Sequence, residues 1–234
     1  MLRAEFDRFA DEYRADHARN IRLSGEGPDY FASYKIADVH RIVAATPFRR
    51  PLRILDFGAG VGNSIAPVRR YFPDAQLTCL DVSVRSLAIA SARFAGQASF
   101  QAFDGRRIPF ARDSFDVIYA ACVFHHIEER LQPPLLREIR RILRPDGHFF
   151  LFEHNPLNPL TRHAVDTCPF DENAVLIRAG AMRRRVAEAG FASTGLAYRI
   201  FFPRALSWLR PLERMLTVVP LGAQYYVHAR KTRD

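Results

Sequence analysis

The sequence predicts an α/β fold, a parallel sheet with helices on both faces. Two observations carry this. Short apolar runs alternate with stretches whose apolar residues recur at helical spacing, and the rhythm persists from Arg53 to Glu153. The first apolar run also ends in a cluster of glycines that leads into a helical stretch. The chain has 234 residues, 48% hydrophobic and 25% charged, enough for one α/β domain with a full core.

Residues 1–46 read as helical, with Phe6, Phe9 and Tyr13, then Phe31, Tyr34, Ile36 and Val39, on either side of a turn from Gly25 to Pro28. R-I-L-D-F (53–57) is a buried strand, and 62–71 suits a helix whose start Pro67 limits. Strands follow at 77–82, 98–103, 115–121 and 148–153, with helices at 84–95 and 131–143. N-P-L-N-P-L-T (155–161) reads as a loop. A helix at 178–189 closes at Gly190, and strands at 191–202 and 223–231 flank a helical insertion at 203–217. The expected organisation is a single domain: an N-terminal helical cap (1–46), a ligand-binding core (52–154) and an acceptor-side C-terminal part (155–234).

The formal charge is +9, from 34 basic and 25 acidic side chains, and only Lys35 and Lys231 are lysines. Residues 155–234 hold 12 basic and 6 acidic residues, so they carry +6 of that total. Such a surface suits anionic partners. The N-terminus has no apolar signal core, and no neutral run reaches the roughly 18 residues of a membrane span. Cys79, Cys122 and Cys168 have no pairing or zinc-like spacing, which fits a reduced, cytoplasmic protein.

The sharpest motif is I-L-D-F-G-A-G-V-G (54–62). Glycines there let a backbone approach a ligand and adopt positive φ, and the following helix offers free N–H groups. Dinucleotide folds favour G-x-G-x-x-G. Here Gly58, Gly60 and Gly62 give G-x-G-x-G, with the third glycine one residue early. Asp81 ends the second strand, where a carboxylate can accept two ribose hydroxyls, and Asp104 follows the third, where it can accept from an adenine amino group.

Four further stretches accompany that loop: F-D-G-R-R-I-P-F (103–110), S-F-D-V-I (114–118), F-H-H-I (124–127) and R-I-L-R-P-D-G (141–147). Together they resemble the small class I methyltransferases called type 11, over 52–154. The resemblance implies a Rossmann-like, seven-stranded, mostly parallel sheet with the last strand antiparallel. It implies S-adenosyl-L-methionine as cofactor. The methionine end would lie along Gly58, Ala59, Gly60 and Gly62, its amino group at Asp56, the ribose at Asp81, and adenine near Val82, Asp104 and Gly105. Ala121 and Phe124 would border the reactive methyl.

A sulfonium donor is already activated, so alignment and exclusion of water dominate, and a base is needed only when the acceptor must lose a proton. The candidate bases are His125, His126, Glu153 and His154, at strand ends on the ligand side. The histidines serve equally well as packing residues, and neither pair has the spacing of a metal site. Tyr13, Tyr30 and Tyr34 belong either to a cap over the cofactor or to an ordinary apolar helix face.

The insertion holds Leu206, Leu209, Leu212 and Leu216 at helical spacing, beside Trp208, Met215, Arg204, Arg210 and Arg214. It is read either as a core-packed helix or as part of an interfacial patch (201–216) contacting anionic membrane. The expected partner is a small-molecule acceptor: a quinone-like or lipid precursor, a saccharide or a secondary metabolite. Nucleic acid is not expected, because the N-P-P-Y-type signature of many such enzymes is absent; A-C-V-F stands at 121–124. A nicotinamide dehydrogenase is disfavoured by the glycine spacing. A non-catalytic cofactor-binding or scaffold protein is the alternative.

Overall fold

The computed structural model describes residues 24–48 and 51–233. The expected helix around Phe6, Phe9 and Tyr13 lies outside them. In chain order come α1 (Pro28–Val43), β1 (Arg53–Phe57), α2 (Ile65–Tyr71), β2 (Gln76–Asp81), α3 (Val84–Arg93), β3 (Ser99–Ala102) and β4 (Phe115–Ala121). Then follow α4 (Gln132–Ile142), β5 (Leu143–His154), α5 (Pro159–Asp166), α6 (Ala179–Glu188), β6 (Ala192–Arg199) and β7 (Gln224–Arg230).

The seven strands form one sheet in the order β3-β2-β1-β4-β5-β7-β6. Strands β1 to β5 pair in parallel, and β7 runs antiparallel to both β5 and β6. The reversal of strand order between β1 and β4 opens a crevice beyond their carboxyl ends, where open α/β sheets bind ligands.

Side-chain alternation divides the core into two layers. Along β5, Phe149 and Leu151 enter one cluster with Leu135 and Ile139 of α4 and Met182 and Val186 of α6. Phe150 and Phe152 enter the other, with Ile36 and Val39 of α1, Ile65 and Val68 of α2 and Leu87 of α3. Helix α1 begins with Pro28 in its first turn, where the missing N–H costs nothing, and buries Phe31, Ala32, Lys35, Ile36 and Val39 on one side.

Three expectations need correction. Strand β5 starts at Leu143, because Phe115 pairs with Leu143 before a register shift restores Val117 opposite His148. The stretch read as a loop at 155–161 leads into α5: the Asn158 side chain accepts from Thr161 N–H at 2.9 Å and Pro159 opens the helix. That Asn-Pro start is itself a helix signal. Last, the insertion is not core-packed. It is a kinked 3-10 run, Arg204–Arg214, that buries only Glu213, whose Oε1 accepts from Phe201 and Phe202 N–H. Pro211 and the break at Leu206 deny its leucines the shared face of a regular helix.

Candidate active site

A cavity opens at the carboxyl ends of β1, β2 and β4, under α1. Among the expected cofactor residues, Asp56, Gly58, Ala59, Gly60, Asp81, Val82, Gly105 and Ala121 line it.

The three loop glycines have different jobs, although all have positive φ. A Cβ on Gly58 would stand 2.4 Å from Val123 Cγ2, and one on Gly62 would stand 2.8 Å from Ile65 Cδ1. Both are closed by packing. A Cβ on Gly60 would meet nothing within 4 Å, so the space above it is open to a ligand. The loop is tied to β2: Gly58 and Ala59 N–H donate to the Leu80 carbonyl, and Gly60 N–H donates to Asp81 Oδ2 at 2.7 Å. Asp81 Oδ1 accepts from Ser83 N–H at 2.8 Å. A carboxylate oxygen accepts more than one hydrogen bond, so Asp81 keeps capacity for hydroxyls.

Asp56 is buried, and its Oδ2 has no hydrogen-bond partner. Burial pushes its carboxyl up to about 7, with the Asp81 charge adding to the rise and Lys35 opposing it.

Three expected residues lie off the cavity wall. Gly62 sits behind the loop, against Ile65 and Ala90. Asp104 is exposed; its Oδ1 accepts from Arg106 and Arg107 N–H, both at 2.8 Å, which caps the turn. The Phe124 ring is fully buried in the core beside Phe57, and its neighbours Val123 and His125 face the cavity instead. The physical reason is the 3-10 turn at Phe124–His126, whose roughly three residues per turn aim Phe124 to a different side from His125 and His126.

The four candidate bases gather on one side. Glu153 is buried; Oε1 accepts from Phe124 N–H at 2.8 Å and Oε2 stands 2.5 Å from His125 Nδ1. The other ring nitrogen of His125 lies 3.5 Å from Asp171 Oδ1, and His126 Nε2 lies 3.3 Å from the same oxygen. Burial works against a charge on His125, but Glu153 and Asp171 overcome it and hold the imidazole well above the ordinary histidine range. Burial and the neighbouring His125 lower His126. His154 stands beside them, its ring 5.3 Å from that of His125, with Nδ1 3.4 Å from Gln224 Nε2. His125, His126 and His154 line the cavity, whereas Glu153 reaches it only through His125.

Residues 55–151 match a family described as "Methyltransferase domain". The chain carries a methyltransferase domain.

A ubiquinone/menaquinone biosynthesis C-methyltransferase of Desulfotalea psychrophila is 30% identical over 105 residues, 44% of this chain and 42% of that protein. A demethylmenaquinone methyltransferase of Thermotoga maritima is 33% identical over 108 residues, 46% of each chain. The chain therefore spans less than half the length of these two relatives. The crystal structure of an S-adenosylmethionine-dependent methyltransferase from Thermotoga maritima shares the fold, with a TM-score of 0.68 at 17% identity over 98% of this chain and 99% of that one.

The cofactor of this class is S-adenosylmethionine, and the cavity of the methyltransferase domain fits it. The fit rests on the open space above Gly60 and the unsatisfied oxygen of buried Asp56, beside the Asp81 carboxylate on the same wall.

Sequence reasoning missed Lys35, Cys122, Asp171 and Gln224, all of which line the domain's cavity. Cys122 adjoins the strand-end motif and has positive φ, a conformation that no residue pattern announces. Burial raises its thiol, but Lys35 and His154 outweigh that and bring it down to about 7. Asp171 and Gln224 arrive from segments far beyond His125 in the chain, so only the fold reveals them.

Proposed function

We propose that this protein transfers the methyl group of S-adenosylmethionine to a small-molecule acceptor that loses a proton on methylation, with His125 as the base. The observation that carries the reading is the Glu153–His125 pair at the wall of the cofactor cavity. Glu153 fixes the ring through Nδ1, and Nε2, which faces Asp171 at 3.5 Å, would exchange that contact for a proton from an acceptor O–H or acidic C–H. The resulting imidazolium would be stabilised by Glu153, while the bond from the acceptor atom to the methyl carbon forms and the carbon–sulfur bond breaks, its electron pair going to the sulfur of the departing S-adenosylhomocysteine. The cofactor supplies a methyl carbon made electrophilic by its sulfonium. Asp56, Gly58, Gly60, Asp81 and Val82 hold it, and Ala121 and Val123 border the place of transfer. The names of the curated relatives favour a quinol-type acceptor over a saccharide.

Incubation with methyl-labelled cofactor, demethylated quinols and fractionated cell extract tests this. Label is expected in an apolar product, and His125→Gln should lower the rate by about 100-fold or more, the usual contribution of a positioned base. A folded protein that binds the cofactor but labels nothing in any fraction would favour the non-catalytic alternative.

An apolar acceptor also accords with the surface. Trp208 is 72% exposed, and Met215 and Val218 are each 79% exposed. Asn155 and Asn158 donate to the carbonyls of Pro220, Leu221 and Gly222, which joins exposed Leu157, Leu160 and Leu221 into neighbouring surface. Arg204 and Arg214 flank the segment. We infer peripheral contact of 201–216 with anionic membrane. No helix among the described residues is long and apolar enough to cross one. Flotation with anionic and neutral liposomes at low and high salt checks it. Anionic liposomes should retain the protein, with salt weakening the arginine share more than the tryptophan share. Absence of binding in every condition would leave an exposed insertion on a protein that serves a soluble acceptor.

A further inference from the structure

The turn that carries His125 carries a second histidine, and both meet one carboxylate. His125 Nε2 and His126 Nε2 lie 3.5 Å and 3.3 Å from Asp171 Oδ1. Among the described residues, these three side chains stand close enough to share one metal ion, with their ligand atoms all within 4.8 Å of one another. Zinc binds histidine nitrogen and carboxylate oxygen at about 2.0–2.2 Å, so two ligand atoms on one tetrahedral ion stand roughly 3.4 Å apart. Small side-chain shifts would close the set. The fold holds it from both sides. Glu153 Oε2 lies 2.5 Å from His125 Nδ1, which aims Nε2 towards Asp171, and Glu153 Oε1 is itself fixed by Phe124 N–H. A carboxylate behind a ligating histidine is the usual support of a metal site. Asp171 ends a short 3-10 turn, Pro169–Asp171, and beyond it Val175 N–H donates to the His125 carbonyl at 2.9 Å. Charge balance favours an ion too. Glu153, fully buried, and Asp171, mostly buried, converge on His125. A single imidazolium balances only one of them, whereas a divalent ion balances both. All three donors line the cavity, so the fourth position on the ion would face the acceptor space.

We propose that His125, His126 and Asp171 bind a divalent ion of the zinc type, and that the bound ion switches off methyl transfer. Two imidazole nitrogens with one carboxylate suit zinc and its borderline neighbours, whereas magnesium and calcium take oxygen ligands. The binding half stands on the cluster alone. The inhibitory half rests on the reading of His125 as the base: an Nε2 lone pair committed to the ion cannot take the acceptor's proton. The paired histidines do not announce the site, because its third ligand lies far from them in the chain.

Zinc titration calorimetry of chelator-treated protein, with cobalt(II) as a spectroscopic probe, decides the binding half. Wild type should take up zinc in a single saturable step. Glu153→Gln should weaken it by about 10- to 100-fold, the usual effect of losing the group behind a ligand, and His126→Ala and Asp171→Asn by at least about that much. His163→Ala, on the exposed side of α5, should leave zinc binding unchanged. Cobalt on nitrogen and oxygen donors gives no thiolate charge-transfer band. Such a band in the wild type would put the ion on a cysteine and overturn the donor set without any variant, so a poorly folding mutant does not shield the proposal. No zinc uptake by folded wild type overturns it, as does uptake lost in His163→Ala but kept in His126→Ala. For the inhibitory half, zinc should stop transfer of labelled methyl and a chelator should restore it. Zinc-loaded protein that turns over at the full rate overturns that half. Metal-free wild type that labels no acceptor would instead sink the function proposed above, and the inhibitory half with it, while calorimetry still decides the site.

Discussion

His125 stands between Glu153 and Asp171, and that position sets the pH dependence expected of the reaction. Its pKa is raised well above the ordinary histidine value, so the proton-free ring that acts as a base is gained only as pH rises. The rate should therefore climb with pH as the ring passes through that raised value. Asp171→Asn removes one of the two anions that favour the imidazolium. The rising limb should move to lower pH, and a pH–kcat/KM profile of both proteins measures the shift. An unmoved limb would mean that the titrating group is not His125. Asp81 makes a second residue-scale test. Asp81→Ala should weaken S-adenosylhomocysteine by about 2–3 kcal/mol, through the loss of hydrogen bonds to a charged group. Titration calorimetry on folded protein gives the number, and an unchanged Kd would confine Asp81 to tying Gly60 and Ser83.

The loop between β1 and α2 illustrates how one element combines packing and binding. Gly58 lies at φ +79° against Val123, and Gly60 lies at φ +52° beneath open space. Gly58→Ala should destabilise the fold by about 2–4 kcal/mol, from strained φ plus overpacking, seen as a lower urea midpoint at unchanged slope. Gly60→Ala should cost only about 1–2 kcal/mol, the penalty for a left-handed residue, yet reduce S-adenosylhomocysteine affinity more than Gly58→Ala does. The reverse ranking of affinities would place the ligand elsewhere along the loop.

At the scale of the whole molecule, helix α1 connects the cofactor cavity to the C-terminal part. Arg210 pairs with Glu26 at 2.7 Å, and its guanidinium lies 4.6 Å from the Tyr30 ring centre, just before Phe31 and Lys35 reach the cavity. Ligand binding should therefore be felt well beyond the strand ends. Saturation at 100 times Kd is worth about 2.7 kcal/mol of stability. Hydrogen exchange should show added protection in α1 when S-adenosylhomocysteine is bound. Protection limited to the β1, β2 and β4 loops would exclude α1 from the ligand site.

The sequence by itself determined the order of the strands and of every regular helix among the described residues except α5, because apolar periodicity and glycine position are local properties read a few residues at a time. It also determined the strand-end residues Asp56, Gly60, Asp81, Val82, Gly105 and Ala121 that the structure brings to one cavity. Tertiary structure alone decided that Phe124 turns into the core, that Asp104 caps a turn beside the cavity, and that the leucines of 204–214 share no buried face. It alone brought Lys35, Cys122, Asp171 and Gln224 to the same wall. The reason is physical: these placements depend on contacts between segments far apart in the chain, and on a proline-broken 3-10 run whose side chains do not follow the helical period from which a sequence pattern is read.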